Sequence, residues 1–221
     1  MSSVRRIYRL LVPLALSLVA ALPLAAAAQA PALQEGTHYQ RLKTPQPVDS
    51  GDKIEVLEFF SYGCPHCADL DPVLVGWQKA LPADVQFRRV PVGFGREAWD
   101  NLGKAYYTLE ALGVEARLTP EMFTAIHRGQ TNLASPKTFF DWAAGKGLER
   151  KKVEDMFNSF AIAGKMNKAN QVAKAYSVQG VPLVIVDGKF STASDKVGAH
   201  ANMPSAINAL IAKAKTERSK K

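Results

Sequence analysis

The strongest constraint on this chain is a pair of cysteines three residues apart, Cys64-Pro65-His66-Cys67, set between two segments of different periodicity. Upstream, Ile54 to Phe60 is β-branched and aromatic on both faces apart from Glu55 and Glu58, as a central strand buried on both sides would be. Ser61-Tyr62-Gly63 breaks the run. Downstream, Leu70, Val73, Leu74 and Trp77 fall at i, i+3, i+4 and i+7, a single apolar stripe on a helix. The cysteines therefore sit at a strand-to-helix junction.

The rest of the chain supplies an α/β frame for that junction. Residues 85–90 read as a second strand, ended by Pro91, and the strand-helix-strand order implies a parallel crossover. A long helical region follows, in which Trp99, Leu102, Tyr106 and Leu109 share one face. Thr119-Pro120 and Ser135-Pro136 each read as an N-cap followed by proline at the first helical position. Helical pattern continues through Met156-Phe157 to about Tyr176. Leu183 to Val186 then reads as a strand, Asp187-Gly188 as a two-residue hairpin turn and Lys189-Phe190 as the start of the return strand. Ile207, Leu210, Ile211 and Ala214 mark a last helix. This order predicts a thioredoxin-like core, interrupted by a helical insertion at about residues 96–176.

Disulfide exchange needs one thiolate that attacks and a second thiol that resolves the mixed disulfide. At a helix start, cysteines at i and i+3 lie on the same side of the first turn. The unpaired N–H groups and the helix dipole favour a thiolate on the first of them. This makes Cys64 the expected nucleophile and Cys67 the resolving thiol. Pro65 suits the first turn, where a missing N–H costs nothing. His66 is expected to lower the Cys64 pKa further by positive charge or a donated hydrogen bond, favouring an oxidising pair; its alternative is an exposed polar turn residue. Glu58, six residues before Cys64, reads either as a buried carboxylate of raised pKa that exchanges a proton with Cys67, or as a solvated edge residue like Glu55. Val181-Pro182 precedes the hairpin strand, ordinarily a bland place for proline.

Composition narrows the class. The chain has two cysteines only, so it is not a domain stapled by several disulfides. A closed zinc site wants about four ligands, and besides His66 only His38, His127 and His200 remain, scattered in sequence. No metal site is expected, and no cofactor beyond the redox-active cysteine pair. Arg5, Arg6 and Arg9, the apolar stretch Leu10 to Leu24 and the tail Ala25 to Ala30 have the three-part layout of an export signal, with cleavage expected after Ala28. An uncleaved membrane anchor is the other reading; no cysteine stands near the cleavage region to carry a lipid. Removing residues 1–28 leaves about 193 residues, residues 29–221, enough for one compact domain with an insertion. The formal charge of +8 falls to about +5, much of it in the tail Lys213 to Lys221, which reads as solvated and frayed. No basic stripe is interleaved with aromatics, so no nucleic-acid partner is expected. No heptad or exposed apolar stripe announces an interface, and a monomer is expected.

Taken together, Glu58-Phe59-Phe60-Ser61, Cys64-Pro65-His66-Cys67 and Gly180-Val181-Pro182 before Asp187-Gly188-Lys189 give a chain that resembles the DsbA family of periplasmic disulfide oxidoreductases. The resemblance implies that Pro182 is cis and lies beside the active pair, that Val181 tunes the redox couple, and that Glu58 is the buried acid near the second cysteine. It further implies a periplasmic oxidase that acts on unfolded exported proteins with free thiols and is reoxidised by a quinone-linked membrane partner of the DsbB kind. Tyr62-Gly63 departs from relatives with aromatic residues there, which suggests a more open groove rim. Two other functions compete. A disulfide isomerase usually carries a dimerisation domain, for which the roughly 25 residues before the first core strand are too few. A copper or zinc carrier would use the two thiolates as ligands.

Overall fold

A computed structural model of the chain describes residues 33–220. The expected export signal and its cleavage site lie outside them. Five strands, β1 (Gln40–Arg41), β2 (Ile54–Phe60), β3 (Val85–Pro91), β4 (Leu183–Val186) and β5 (Phe190–Thr192), form one sheet in the order β1-β5-β4-β2-β3. β2 runs parallel to β3 and antiparallel to β4, and β5 is antiparallel to both β4 and β1. The crossover from β2 to β3 is helix α1 (Pro65–Gln78). Between β3 and β4 come α2 (Glu97–Ala111), α3 (Glu115–His127), α4 (Pro136–Gly145), α5 (Arg150–Phe157) and α6 (Phe160–Ala175). A short 3-10 helix (His200–Asn202) and α7 (Met203–Arg218) follow the hairpin.

β2 is buried at all seven positions, as its pattern requires, because helices cover both faces of the sheet. Ile54 and Val56 pack with Leu70, Leu74 and Trp77 of α1 and with Ile207 and Leu210 of α7. Leu57 and Phe59, pointing the other way, join the core built by the helices of the insertion. Asp187 and Gly188 both take positive φ, 54° and 61°, and Lys189 N–H bonds the Val186 carbonyl at 3.0 Å, the two-residue hairpin that Asp-Gly favours.

The fold corrects three expectations. Glu55 is no solvated edge residue: it is 1 % exposed and ion-paired to Arg88 Nε at 2.7 Å, because β2 has neighbours on both sides and a helical layer on each face. Thr119 caps no helix, since α3 begins at Glu115 after a turn at Gly113 (φ 71°) and carries Pro120 inside it. There the missing N–H leaves the Ala116 carbonyl without its helical donor, while the Thr119 hydroxyl serves a tertiary contact. Ser135, by contrast, does stand at the N-cap of α4 with Pro136 behind it. The basic tail is not frayed from Lys213 to Arg218, because α7 continues to that residue. Arg218 donates to the Asp187 carboxylate and to the carbonyls of Asp52 (2.8 Å) and Lys53 (3.0 Å), and Lys215 pairs with Asp84.

Gly188 is held closely by its surroundings: its carbonyl accepts from Gln46 N–H at 2.9 Å, and a Cβ there would strike the Gln46 carbonyl. Gly188→Ala is expected to cost roughly 1–3 kcal/mol through clash and strained φ, read as a lower denaturant midpoint at unchanged slope.

Candidate active site

The end of β2 hands the chain to α1 through a tightly held loop. Tyr62 turns its ring into the core, 5.3 Å from Phe60 and 5.0 Å from Phe123 between centroids. Its hydroxyl shares a 2.7 Å bond with the Thr119 hydroxyl, and its carbonyl lies 2.8 Å from His127 Nε2. A Cβ on Gly63 would lie 3.0 Å from Trp99 Nε1, so the indole covers this position. The insertion thus narrows the rim expected to be open at Tyr62-Gly63: Tyr62 is buried beneath α3, and Gly63 is half-buried beside Trp99 of α2. Cys64 is the N-cap of α1, its N–H bonded to the Ser61 carbonyl at 3.0 Å, and Pro65 is the first helical residue.

Both cysteines are free thiols in different surroundings. Cys67 is 0 % exposed; Cys64 is 6 % exposed and donates its S–H to the Val181 carbonyl at 3.3 Å. The Val181-Pro182 peptide is cis. A hydrogen bond from the Cys67 thiol does most to lower the Cys64 pKa, to about 6 from an ordinary 9.0. Burial opposes it, while the backbone N–H groups of Cys67 and His66 and, last, the His66 charge assist. His66 therefore contributes in the expected direction but is the smallest of these influences, as its exposed side chain stands in high dielectric. The Cys67 pKa is driven up by burial, then by the Cys64 sulfur it bonds to, then by the charge of Glu58.

Glu58 is 2 % exposed and accepts from Arg89 Nε at 2.8 Å. Arg89 also bonds Asp71 at 2.7 Å and stands 3.8 Å from Glu115. One guanidinium thus serves three acids. Burial outweighs Arg89 and raises the Glu58 pKa, and Asp71 and Glu115 are raised for the same reason. Sequence reasoning found Glu58 but missed Arg89, Asp71 and Glu115. Asp71 carried a signal: it shares the buried face of α1 with Cys67, Leu70 and Leu74, where a lone acid needs a partner. Arg89 stands opposite Glu58 in the parallel ladder, which only the register reveals.

Beside the cysteines a groove of about 700 Å³ runs between His66, the Gly180-Val181-Pro182-Leu183 segment and the loop from Ala193 to His200. His66 and His200, far apart in sequence, come to 6.3 Å between ring centroids. The histidines are thus not all scattered, because the loop after β5 folds back over the start of α1.

Two measurements test this arrangement. In the reduced, chelator-treated protein, thiolate absorbance should rise with a midpoint near pH 6, and Cys67→Ala should move that midpoint up by removing the S–H donor. Since the folded value of Cys64 lies below its unfolded one, the thiolate's stabilisation is complete above pH 9.0 and lost as pH falls through about 6. The stability of the reduced protein relative to the oxidised one, in which Cys64 does not titrate, should therefore increase across that window. Arg89→Met strands the buried acids and should cost about 3–5 kcal/mol in denaturant unfolding.

The chain was compared with known proteins. A family model described as the DSBA-like thioredoxin domain matches residues 55–202. The thiol:disulfide interchange protein DsbA of Pseudomonas aeruginosa is 46% identical over 164 residues, covering 74% of this chain and 77% of that protein. DsbA of Burkholderia cepacia is 40% identical over 185 residues, 83% of this chain and 86% of that one. Among solved structures, Pseudomonas aeruginosa DsbA superposes with a TM-score of 0.81 at 41% identity, covering 86% of this chain and 97% of that chain. DsbA of Xylella fastidiosa gives 0.77 at 28% identity, over 84% and 99%. With the paired thiols, the cis proline and the sheet order already in place, these likenesses span the core and the insertion alike, and the chain belongs to the DSBA-like thioredoxin family of thiol:disulfide oxidoreductases.

Proposed function

We propose that the chain works as a disulfide donor to exported proteins, with Cys64 the sulfur that meets the substrate. The observation that carries this is the inequality of the pair: Cys64 caps the helix beside the groove, whereas Cys67 is fully enclosed behind it. In the oxidised enzyme a substrate thiolate attacks Cys64 Sγ, the Cys64-Cys67 bond breaks, and Cys67 leaves and takes up a proton. A second substrate thiolate then attacks the substrate sulfur of the mixed disulfide. The substrate disulfide forms, Cys64 leaves as thiolate, and two electrons have passed to the enzyme.

Several residues support this cycle. The helix N-terminus at Pro65 and the N–H groups of His66 and Cys67 favour the departing Cys64 thiolate. Glu58, raised in pKa and felt electrostatically by Cys67, is suited to exchange the proton that Cys67 gains and loses. The Val181 carbonyl and cis-Pro182 form the wall of the groove next to Cys64, where an extended substrate segment would lie. Val181 is then placed to tune the couple, since its carbonyl bonds the neutral thiol and opposes the thiolate. No helix among the described residues is long and apolar enough to cross a membrane. We place the mature protein, residues 29–221, in the periplasm as a monomer, with a quinone-linked DsbB-like membrane oxidase restoring the disulfide.

The test is a titration of the Cys64-Cys67 couple against glutathione buffers, with thiol trapping as readout. A couple more oxidising than glutathione is expected; one as reducing as thioredoxin would make the chain a reductase or isomerase. Cys64→Ser should abolish oxidation of reduced substrates, and Cys67→Ser should accumulate substrates as mixed disulfides on Cys64, visible on non-reducing gels.

A further inference from the structure

The loop after β5 brings a second chemistry to the mouth of the groove. His66 and Asp69 stand one turn apart on the exposed side of the first turn of α1, three residues being the spacing that aligns side chains on a helix. The 3-10 helix at His200–Asn202 adds His200 to them. One ligand atom from each of His66, Asp69 and His200 lies within 4.8 Å of the other two. His200 is held in place: its Nδ1 lies 2.7 Å from the Ser194 hydroxyl, which leaves Nε2 free. A partner on the far nitrogen is how proteins orient a metal-binding imidazole.

We infer that His66, Asp69 and His200 form a binding site for a divalent transition ion of the zinc class at the rim of the groove, separate from the two thiols. Two imidazoles and one carboxylate suit zinc, copper or nickel far better than magnesium or calcium, which prefer all-oxygen sets. Bond lengths of about 2.0–2.2 Å put neighbouring ligand atoms ~3.3 Å apart. The separations of up to 4.8 Å must shorten toward that value, and His66 and Asp69 are exposed side chains with freedom to turn. Three protein ligands leave a four-coordinate ion one position for water. None of the carboxylates in the Arg89 network takes part, so the ion makes no demand on the buried charges.

Reduced thiols also bind zinc, so the experiment uses untagged protein with Cys64 and Cys67 joined as a disulfide. Titration with zinc chloride in a calorimeter should give one ion per chain. Asp69→Asn should weaken binding at least tenfold and His200→Gln should abolish it. In the unaltered oxidised protein, substoichiometric copper(II) should broaden the imidazole signals of His66 and His200 in nuclear magnetic resonance spectra before those of His38 and His127. Failure to bind zinc saturably, binding that survives both substitutions, or broadening that begins at His38 or His127 would each overturn the site.

Discussion

A thiolate can persist at Cys64 only where the backbone supplies positive potential and the neighbouring thiol supplies a proton to share, and both depend on how β2 ends and α1 begins. Phe60 and Tyr62 anchor the loop in an aromatic cluster, Ser61 accepts the Cys64 N–H, and Pro65 opens the helix without wasting a donor. The first-turn N–H groups then point at Cys64 Sγ, while the same turn buries Cys67 completely. A shift of one residue in this junction would turn Cys67 from the core and leave Cys64 without its hydrogen bonds.

Behind Cys67 lies an electrostatic arrangement of opposite character. Glu58 and Asp71, nearly closed to water, and the half-buried Glu115 share Arg89, whose guanidinium relieves only part of the desolvation of the three carboxyls. Of this group it is Glu58 that bears on Cys67, whose pKa its charge helps to raise after burial and the Cys64 sulfur. The two sulfurs thus differ in their surroundings: the Cys67 thiol and the helix start favour charge on Cys64, while burial and Glu58 oppose it on Cys67.

The groove links this pair to whatever approaches it. Its walls come from three places far apart in sequence, namely the first turn of α1, the segment around cis-Pro182 and the loop after β5. Cys64 touches one wall through the Val181 carbonyl, and His66 belongs to another. His66 is thus better placed as a groove residue, beside His200 and Asp69, than as the main source of the low Cys64 pKa.

Much of this was legible in the sequence because it is local. The doubly apolar strand Ile54–Phe60, the stripe of α1, the cysteine spacing at its start, the Asp187-Gly188 turn and the Ser135-Pro136 cap each depend on residues a few positions apart, and backbone sterics and side-chain periodicity suffice to read them. What was misread was decided by distant neighbours. Glu55 is buried where β3 supplies Arg88; Thr119 lies inside α3, where its hydroxyl meets Tyr62; the basic stretch up to Arg218 is helical, with Arg218 reaching Asp187 and the carbonyls before β2; and His200 reaches His66 only through the fold of the loop after β5. The sequence by itself determined the reactive pair and the α/β frame that presents it. Tertiary structure alone decided which charged groups lie beside that pair, because burial and ion pairing depend on register and packing between segments that share no local pattern.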